Sequence, residues 1–404
     1  MEKKKKNWTL PRHRVITALA RLVLSPYCRL RYGISIEKFR QQGDRPYLIL
    51  YNHQTAFDQF FVGMAFRGPI YYMATEDIFS LGWLSSLLRW AVAPIPIRKQ
   101  TTDITAVMNC IKVAREGGSL CIAPEGNRTY SGRTEYMSDS IASLAKKLKL
   151  PIALYRIEGG YGIQPRWSDC IRRGKMRGYV SRVIEPEEYA DLKPRELFDI
   201  IEKGLYVDEG VADGIFRHKN RAEYLERAIY VCPFCGLSRW ESVGHRASCK
   251  TCGRTVSYGE DKRITGEGFE FPFEFMGQWY DYQKQYVNSL DLTVMTDTPV
   301  FRDRARVSEV IVYQRKNLLR EDAAISLYGD RMVLDEGAEN ELVLPFSEVN
   351  AAACLGKNKL NIYHGKMIYQ FKGDKRFNAL KYVNLIFRYR NIARGEENDQ
   401  FLGL

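Results

Sequence analysis

Through its first two hundred residues the chain alternates short apolar runs with segments of helical period. Tyr47-Leu48-Ile49-Leu50 is continuously apolar, as in a strand buried on both faces, and Gln59–Phe66 after it reads as a helix. Further strands are predicted at Ile70–Ala74, Ser119–Ala123 and Pro151–Arg156, and helices at Leu84–Val92, Ile104–Arg115 and Ile141–Leu148. Strands alternating with helices predict an α/β domain whose chemistry sits on loops at strand ends. Before them, Pro11 opens a helix over 11–25. Arg14, Thr17, Arg21 and Ser25 share one of its faces, and Val15, Ile16, Leu19, Leu22 and Val23 the other. The second half changes character. Phe269, Phe271, Phe273 and Phe275 precede a helix from Trp279 to Leu290. Short strands then recur at 324–328, 331–334, 342–344, 352–355, 360–363 and 366–371, with turns at Gly329-Asp330 and His364-Gly365 and a closing helix over Phe377–Tyr389.

At 404 residues the chain predicts two to four domains. Its net charge of +13 lies entirely in one half: residues 1–205 hold 33 Lys and Arg against 20 Asp and Glu, and the remainder balances. That surplus implies an anionic partner for the first half. Four of the nine cysteines form two Cys-x-x-Cys pairs, which suits a metal site in a reducing compartment better than a disulfide framework. No apolar run reaches the roughly 18–20 residues needed to span a bilayer. Arg21 interrupts the apolar segment behind the N-terminal lysines, so a signal peptide is not expected. A basic amphipathic helix over 10–32 instead predicts a cytoplasmic protein lying on the inner face of the cell membrane, against its phospholipids.

The candidate chemistry starts at Asn52-His53-Gln54-Thr55-Ala56-Phe57-Asp58. His53 lies on a strand-to-helix turn, from which Asp58 can reach back to one imidazole nitrogen. A carboxylate there fixes the tautomer and leaves the other nitrogen to accept a proton, the layout of a general base and its orienter. Arg98 and Arg128, each following an apolar strand, are forks suited to two-point contact with phosphate.

Four blocks in order, Asn52-His53-x4-Asp58, Ile97-Arg98, Pro124-Glu125-Gly126-Asn127-Arg128-Thr129 and the strand opening at Leu150-Pro151-Ile152, resemble the glycerophospholipid acyltransferase family over about residues 10–205. The resemblance implies transfer of a fatty acyl group from an acyl-CoA or acyl-carrier-protein thioester to a hydroxyl of a lysophospholipid such as 1-acylglycerol-3-phosphate. His53 and Asp58 would be the catalytic pair. Arg98, Glu125 and Arg128 would hold the acceptor, and Gly126 would let the backbone approach. The chain departs from the family pattern at Asn127 and Thr129 and in its proline-rich second block, which bears on the acceptor rather than on the acyl chemistry. Cys121 reads as a buried strand residue, not a nucleophile.

Cys232-x-x-Cys235-Gly236 and Cys249-x-x-Cys252-Gly253 are paired knuckles that predict a structural zinc ribbon with four thiolate ligands. With few clustered bases near it, no nucleic-acid partner is expected. The strands followed by one helix resemble a pleckstrin-homology-like module, whose Lys357, Lys359, Lys372, Lys375 and Arg376 offer charge to headgroups. The predicted organisation is thus an acyltransferase-like αβ domain over 1–228, a zinc ribbon over 229–258, an aromatic helical linker over 259–297, and a mostly-β domain with a C-terminal helix over 298–404. Two rival readings are a non-catalytic membrane adaptor on an acyltransferase fold and a ribbon-based protein- or nucleic-acid-binding protein.

Overall fold

The computed structural model describes residues 7–75, 78–80, 82–97, 103–311, 314, 316–396 and 401–403; Arg98 and Lys99 lie outside them. The chain divides into two compact units, 1–165 with 171–216, and 166–170 with 217–404.

The first unit opens with α1 (Pro11–Tyr32), closed by Gly33 in the left-handed region, whose N–H donates to Arg29 C=O. Then follow β1 (Ile34–Ile36), β2 (Leu48–Tyr51), α2 (Asp58–Ala65), β3 (Ile70–Thr75), α3 (Trp83–Val92), β4 (Ile95–Ile97) and α4 (Ile104–Arg115). After these come β5 (Ser119–Ile122), α5 (Ser140–Leu148), β6 (Ile152–Glu158), α6 (Gly160–Ile163), β7 (Met176–Ile184), α7 (Pro186–Tyr189) and α8 (Pro194–Leu205). Among the described residues the strands form one sheet in the order β1-β7-β6-β2-β5-β3-β4, parallel except between β6 and β7. β2 is central and wholly buried. Its alternate residues feed two cores: Leu48 and Leu50 join residues of α4, α5 and α8, while Ile49 and Tyr51 join residues of α1 and α2. Loops at the carboxyl ends of β2 and β5 therefore emerge side by side, where open α/β sheets carry their sites.

α1 carries an exposed apolar face: Val15, Leu19, Leu22 and Val23 are exposed by 60, 59, 74 and 69 %. Two of its polar residues face the domain instead: His13 is buried beside the Tyr71 hydroxyl at 3.1 Å, and Arg21 donates to the carbonyls of Gly63, at 2.6 Å, and Gly68.

The second unit begins with β8 (Val231–Cys232) and β9 (Gly236–Leu237), then a four-stranded antiparallel sheet of β10 (Trp240–Val243), β11 (Arg246–Cys249), β12 (Thr255–Tyr258) and β13 (Ile264–Gly266). Helix α9 (Met276–Ser289) follows. Trp279 packs edge-on against Trp240 at 4.8 Å and Phe271 at 4.9 Å, so the phenylalanine run is folded against this helix. Seven strands come next: β14 (Phe301–Glu309), β15 (Asn317–Leu327), β16 (Arg331–Leu334), β17 (Leu342–Pro345), β18 (Val349–Leu355), β19 (Lys359–His364) and β20 (Met367–Gly373). They pair antiparallel in the order β17-β16-β15-β14-β20-β19-β18, ahead of α10 (Leu380–Ala393).

Candidate active site

Asp58 is the first residue of α2 and is fully buried. Its carboxylate collects four donors from the turn before it: the ring Nδ1 of His53 at 2.8 Å, the Gln54 amide at 2.6 Å, the Thr55 amide at 2.9 Å and the Thr55 hydroxyl at 2.6 Å. A carboxylate at Nδ1 takes a hydrogen only if that nitrogen carries it, so the neutral ring keeps its lone pair on Nε2. The His53 side chain is 21 % exposed, buried enough to be held and open enough to be reached.

The backbone on either side of the ring is equally fixed. Asn52, fully buried, donates from Nδ2 to the Ile157 carbonyl at 2.8 Å and accepts the Ile157 amide on Oδ1 at 2.7 Å. That side chain extends the β2–β6 ladder by one rung as the main chain turns away. The His53 N–H donates to Glu125 Oε1 at 2.8 Å, and the His53 carbonyl accepts the Thr129 amide at 3.3 Å. The histidine and the Pro124–Thr129 loop are thus bonded through main chain, and the sequence blocks around residues 53 and 125 form one site.

Glu125 also accepts the Glu135 amide at 3.3 Å. Burial pushes its carboxyl up to about 8, although the His53 and Glu135 amides pull the other way. Gly126, exposed at φ +64°, ends a turn in which its N–H donates to the Ala123 carbonyl at 2.9 Å. A side chain would be strained in that conformation. Arg128 is half-buried two residues further on. Cys121, the neighbouring thiol in sequence, is buried in β5 and burial pushes it well above its ordinary range, so it is no nucleophile at neutral pH.

The roles of Asn52, Gln54 and Thr55 are absent from the sequence reading. Gln54 and Thr55 donate backbone amides, which carry no side-chain signal, although Thr55 adds its hydroxyl, and an asparagine inside a motif gives no hint that it will pair with a strand a hundred residues away.

The profile of the family described as Acyltransferase matches residues 34–157. The 1-acyl-sn-glycerol-3-phosphate acyltransferase of Bacillus subtilis (strain 168) is 23 % identical over 170 residues, covering 41 % of this chain and 81 % of its own. A chloroplastic 1-acyl-sn-glycerol-3-phosphate acyltransferase of Arabidopsis thaliana is 24 % identical over 162 residues, 38 % of this chain and 44 % of that protein. Residues 34–157 of the first unit thus resemble the acyltransferase family, at low identity to its 1-acyl-sn-glycerol-3-phosphate members. Among solved structures, the 1-acyl-sn-glycerophosphate acyltransferase of Thermotoga maritima aligns with 46 % of this chain and 80 % of its own, at 16 % identity and a TM-score of 0.37. The second unit lies beyond the family match.

In the second unit, Cys232, Cys235, Cys249 and Cys252 converge, with all four sulfurs within 4.8 Å of one another. Cys232 and Cys252 are 3.8 Å apart, Cys235 and Cys249 3.6 Å. A tetrahedral zinc with Zn–S bonds of about 2.3 Å needs sulfurs about 3.8 Å apart, so the cluster fits that ion. Gly236 makes the first knuckle possible: at φ +76° it turns under the metal ligands, and a Cβ there would come within 2.4 Å of the Tyr286 hydroxyl.

Proposed function

We propose that the chain transfers a fatty acyl group from an acyl-CoA or acyl-carrier-protein thioester to a lysophospholipid hydroxyl of the 1-acylglycerol-3-phosphate kind, at a membrane surface. The observation that carries this reading is the His53–Asp58 contact of 2.8 Å on a turn bonded to Glu125. His53 Nε2 takes the hydroxyl proton as the oxygen attacks the thioester carbonyl, and Asp58 stabilises the imidazolium that results. The tetrahedral intermediate then expels the thiolate, which recovers the proton from His53. The acyl group passes directly to the alcohol, so no acyl-enzyme forms. Arg128, with Arg98 from outside the described residues, supplies charge for the acceptor phosphate. Glu125 orders the loop that presents Arg128.

The exposed apolar face of α1 supports an in-plane position on the inner leaflet of the cell membrane. Among the described residues no helix is long and apolar enough to cross a bilayer. Zinc in the four-cysteine cluster holds the ribbon, and the seven-stranded sheet with its closing helix serves as a pleckstrin-homology-like module.

His53→Ala tests the reading. Transfer to 1-acylglycerol-3-phosphate should fall by about 10²–10⁴-fold with vesicle binding unchanged. Full turnover in that variant would mean that His53 is not the base, and no transfer by the wild type would leave a membrane adaptor on an acyltransferase fold.

A further inference from the structure

The loop that carries Glu125 and Arg128 is paired with a segment from the far end of the first unit. Residues 132–134 run antiparallel to residues 207–209 in one register. Thr134 N–H donates to the Val207 carbonyl at 2.9 Å, Arg133 bridges Asp208, and Glu209 N–H donates to the Gly132 carbonyl at 2.9 Å. Side chains reinforce both ends of the pair. Thr134 Oγ1 accepts the Val207 N–H at 3.0 Å and donates to the Leu205 carbonyl at 3.4 Å, at the end of α8. The Glu209 carboxylate accepts the N–H of Gly159, just beyond β6, at 2.5 Å. The two backbones also touch: a Cβ on Gly132, at φ +96°, would lie 2.6 Å from the Gly210 nitrogen. Phe216 anchors the end of the segment. It is buried, with its ring so close to Gly162 that a Cβ there would come within 2.2 Å of it.

From this pair a chain of hydrogen bonds runs to the catalytic turn. The Thr129 hydroxyl accepts the Gly132 N–H at 2.9 Å and meets the Ser131 hydroxyl at 3.1 Å, and Ser131 in turn donates to the Glu135 carboxylate. Thr129 bonds the His53 carbonyl through its own N–H. Glu125 is therefore held from two directions: the His53 amide fixes Oε1, and the amide of Glu135, the residue after Thr134, fixes Oε2. So short an antiparallel pair is marginal by itself, which makes the side-chain bonds of Thr134 and Glu209 decisive. Val207 is buried as well, so the segment also closes a core. A valine at position 134 would fill the same volume, however, and core closure does not call for the hydroxyl.

We propose that residues 205–216 are a positioning strap that sets affinity for the acceptor from outside the residues matched by the acyltransferase profile, 34–157, with Thr134 and Glu209 as its positioning residues. The inference rests on the reading of Glu125 and Arg128 as the acceptor site. Both lie on the strapped loop, whereas the tautomer of His53 is fixed by Asp58 within its own turn. Loosening the strap costs acceptor binding more than proton transfer.

The test compares the full chain with its Thr134→Val and Thr134→Ser variants. Valine removes the oxygen and leaves the buried Val207 N–H without its side-chain acceptor; serine keeps the oxygen. The probes are detergent-dispersed 1-acylglycerol-3-phosphate and a palmitoyl thioester of coenzyme A or acyl carrier protein, whichever the wild type uses. Thr134→Val should raise the acceptor KM by about tenfold with kcat within about twofold, and Thr134→Ser should stay near the wild type. A merely structural role would lower the melting temperature and leave KM in place. Amide hydrogen exchange needs no turnover: over residues 125–135 it should be about tenfold faster in Thr134→Val and unchanged in Thr134→Ser. If Thr134→Val does not fold, Glu209→Gln, which weakens the acceptor for Gly159 without loss of volume, should give the same two changes at about threefold. The proposal is overturned by an unchanged acceptor KM, by a fall in kcat without a rise in KM, by serine failing as valine does, or by unchanged exchange. A wild type that transfers no acyl group, with the exchange difference present, would sink the functional reading and leave the strap as the element that orders this loop.

Discussion

A general base works only if its proton sits on the right nitrogen, and here that depends on Asp58 rather than on the imidazole. Asp58→Asn replaces a pure acceptor by a group that can offer N–H to Nδ1, which favours the other tautomer and puts the hydrogen on Nε2. Turnover of that variant should fall by about 10²–10⁴-fold at saturating substrate, and the melting temperature should fall as well, because the new NH2 faces amides that Asp58 accepted. An activity near that of the wild type would mean the ring is not the base. Thr55→Val removes one of the four donors to Asp58 and should cost about tenfold or less. Glu125 gives a pH-dependent prediction. Its carboxyl is raised to about 8 by burial, from the ordinary value of 4.5, so the folded state holds this proton more tightly than the unfolded state. The stability associated with it is complete below about 4.5 and is lost as pH rises through about 8. The melting temperature of Glu125→Gln relative to the wild type should therefore climb across that window and level off above it, whereas a flat difference would place the wild-type carboxyl in the ordinary range. The nearness of His53, Asp58 and Glu125 was legible in the sequence because their motif spacing is distinctive. The clamp between Asn52 and Ile157 was not, since it depends on which strand becomes the neighbour of β2.

At the scale of elements, periodicity reported faces well and directions poorly. It placed Val15, Leu19, Leu22 and Val23 together on α1, but nothing in a periodic pattern says whether an apolar face meets a core or solvent. β14 went unread for a related reason: Arg302-Asp303-Arg304-Ala305-Arg306 looks like a charged loop, although Phe301, Ala305 and Val307 supply the period-two inner face. Helix α8 was missed as well, although Leu197, Ile201 and Leu205 recur at four-residue spacing and are all buried. The four-cysteine element was legible in full, because two Cys-x-x-Cys-Gly knuckles allow few other structures. Its stability is expected to depend on metal. Binding of about 10–16 kcal/mol is expected to dominate so small a sheet. Purified protein should contain one zinc per chain, and chelation or Cys249→Ser should release Trp240 and Trp279 from their edge-to-face packing, seen as a loss of near-ultraviolet dichroism. Protein that is metal-free by elemental analysis yet keeps that signal would contradict the assignment.

For the whole molecule, the question is what the exposed face of α1 is for. Four large aliphatic side chains, all more than half exposed, are far more than scattered surface hydrophobics. α3, which also packs on α1, adds Trp83, exposed by 77 %, and Trp90, exposed by 53 %. Arg12 joins the two helices by donating to the Trp90 carbonyl at 3.0 Å. The half of the chain that displays these residues also carries the entire surplus of positive charge. Apolar insertion and attraction to anionic lipid respond differently to salt, because only the second is screened over a Debye length of about 8 Å at physiological ionic strength. Leu22→Glu/Val23→Glu should reduce binding to vesicles containing anionic lipid by about tenfold or more at every salt concentration, whereas raising salt should weaken the wild type only in part. Both positions are exposed, so the melting temperature should stay within a few degrees of the wild type and transfer to detergent-dispersed acceptor should persist. If the variant floated with vesicles as the wild type does, the outward face of α1 would have to meet something other than a bilayer.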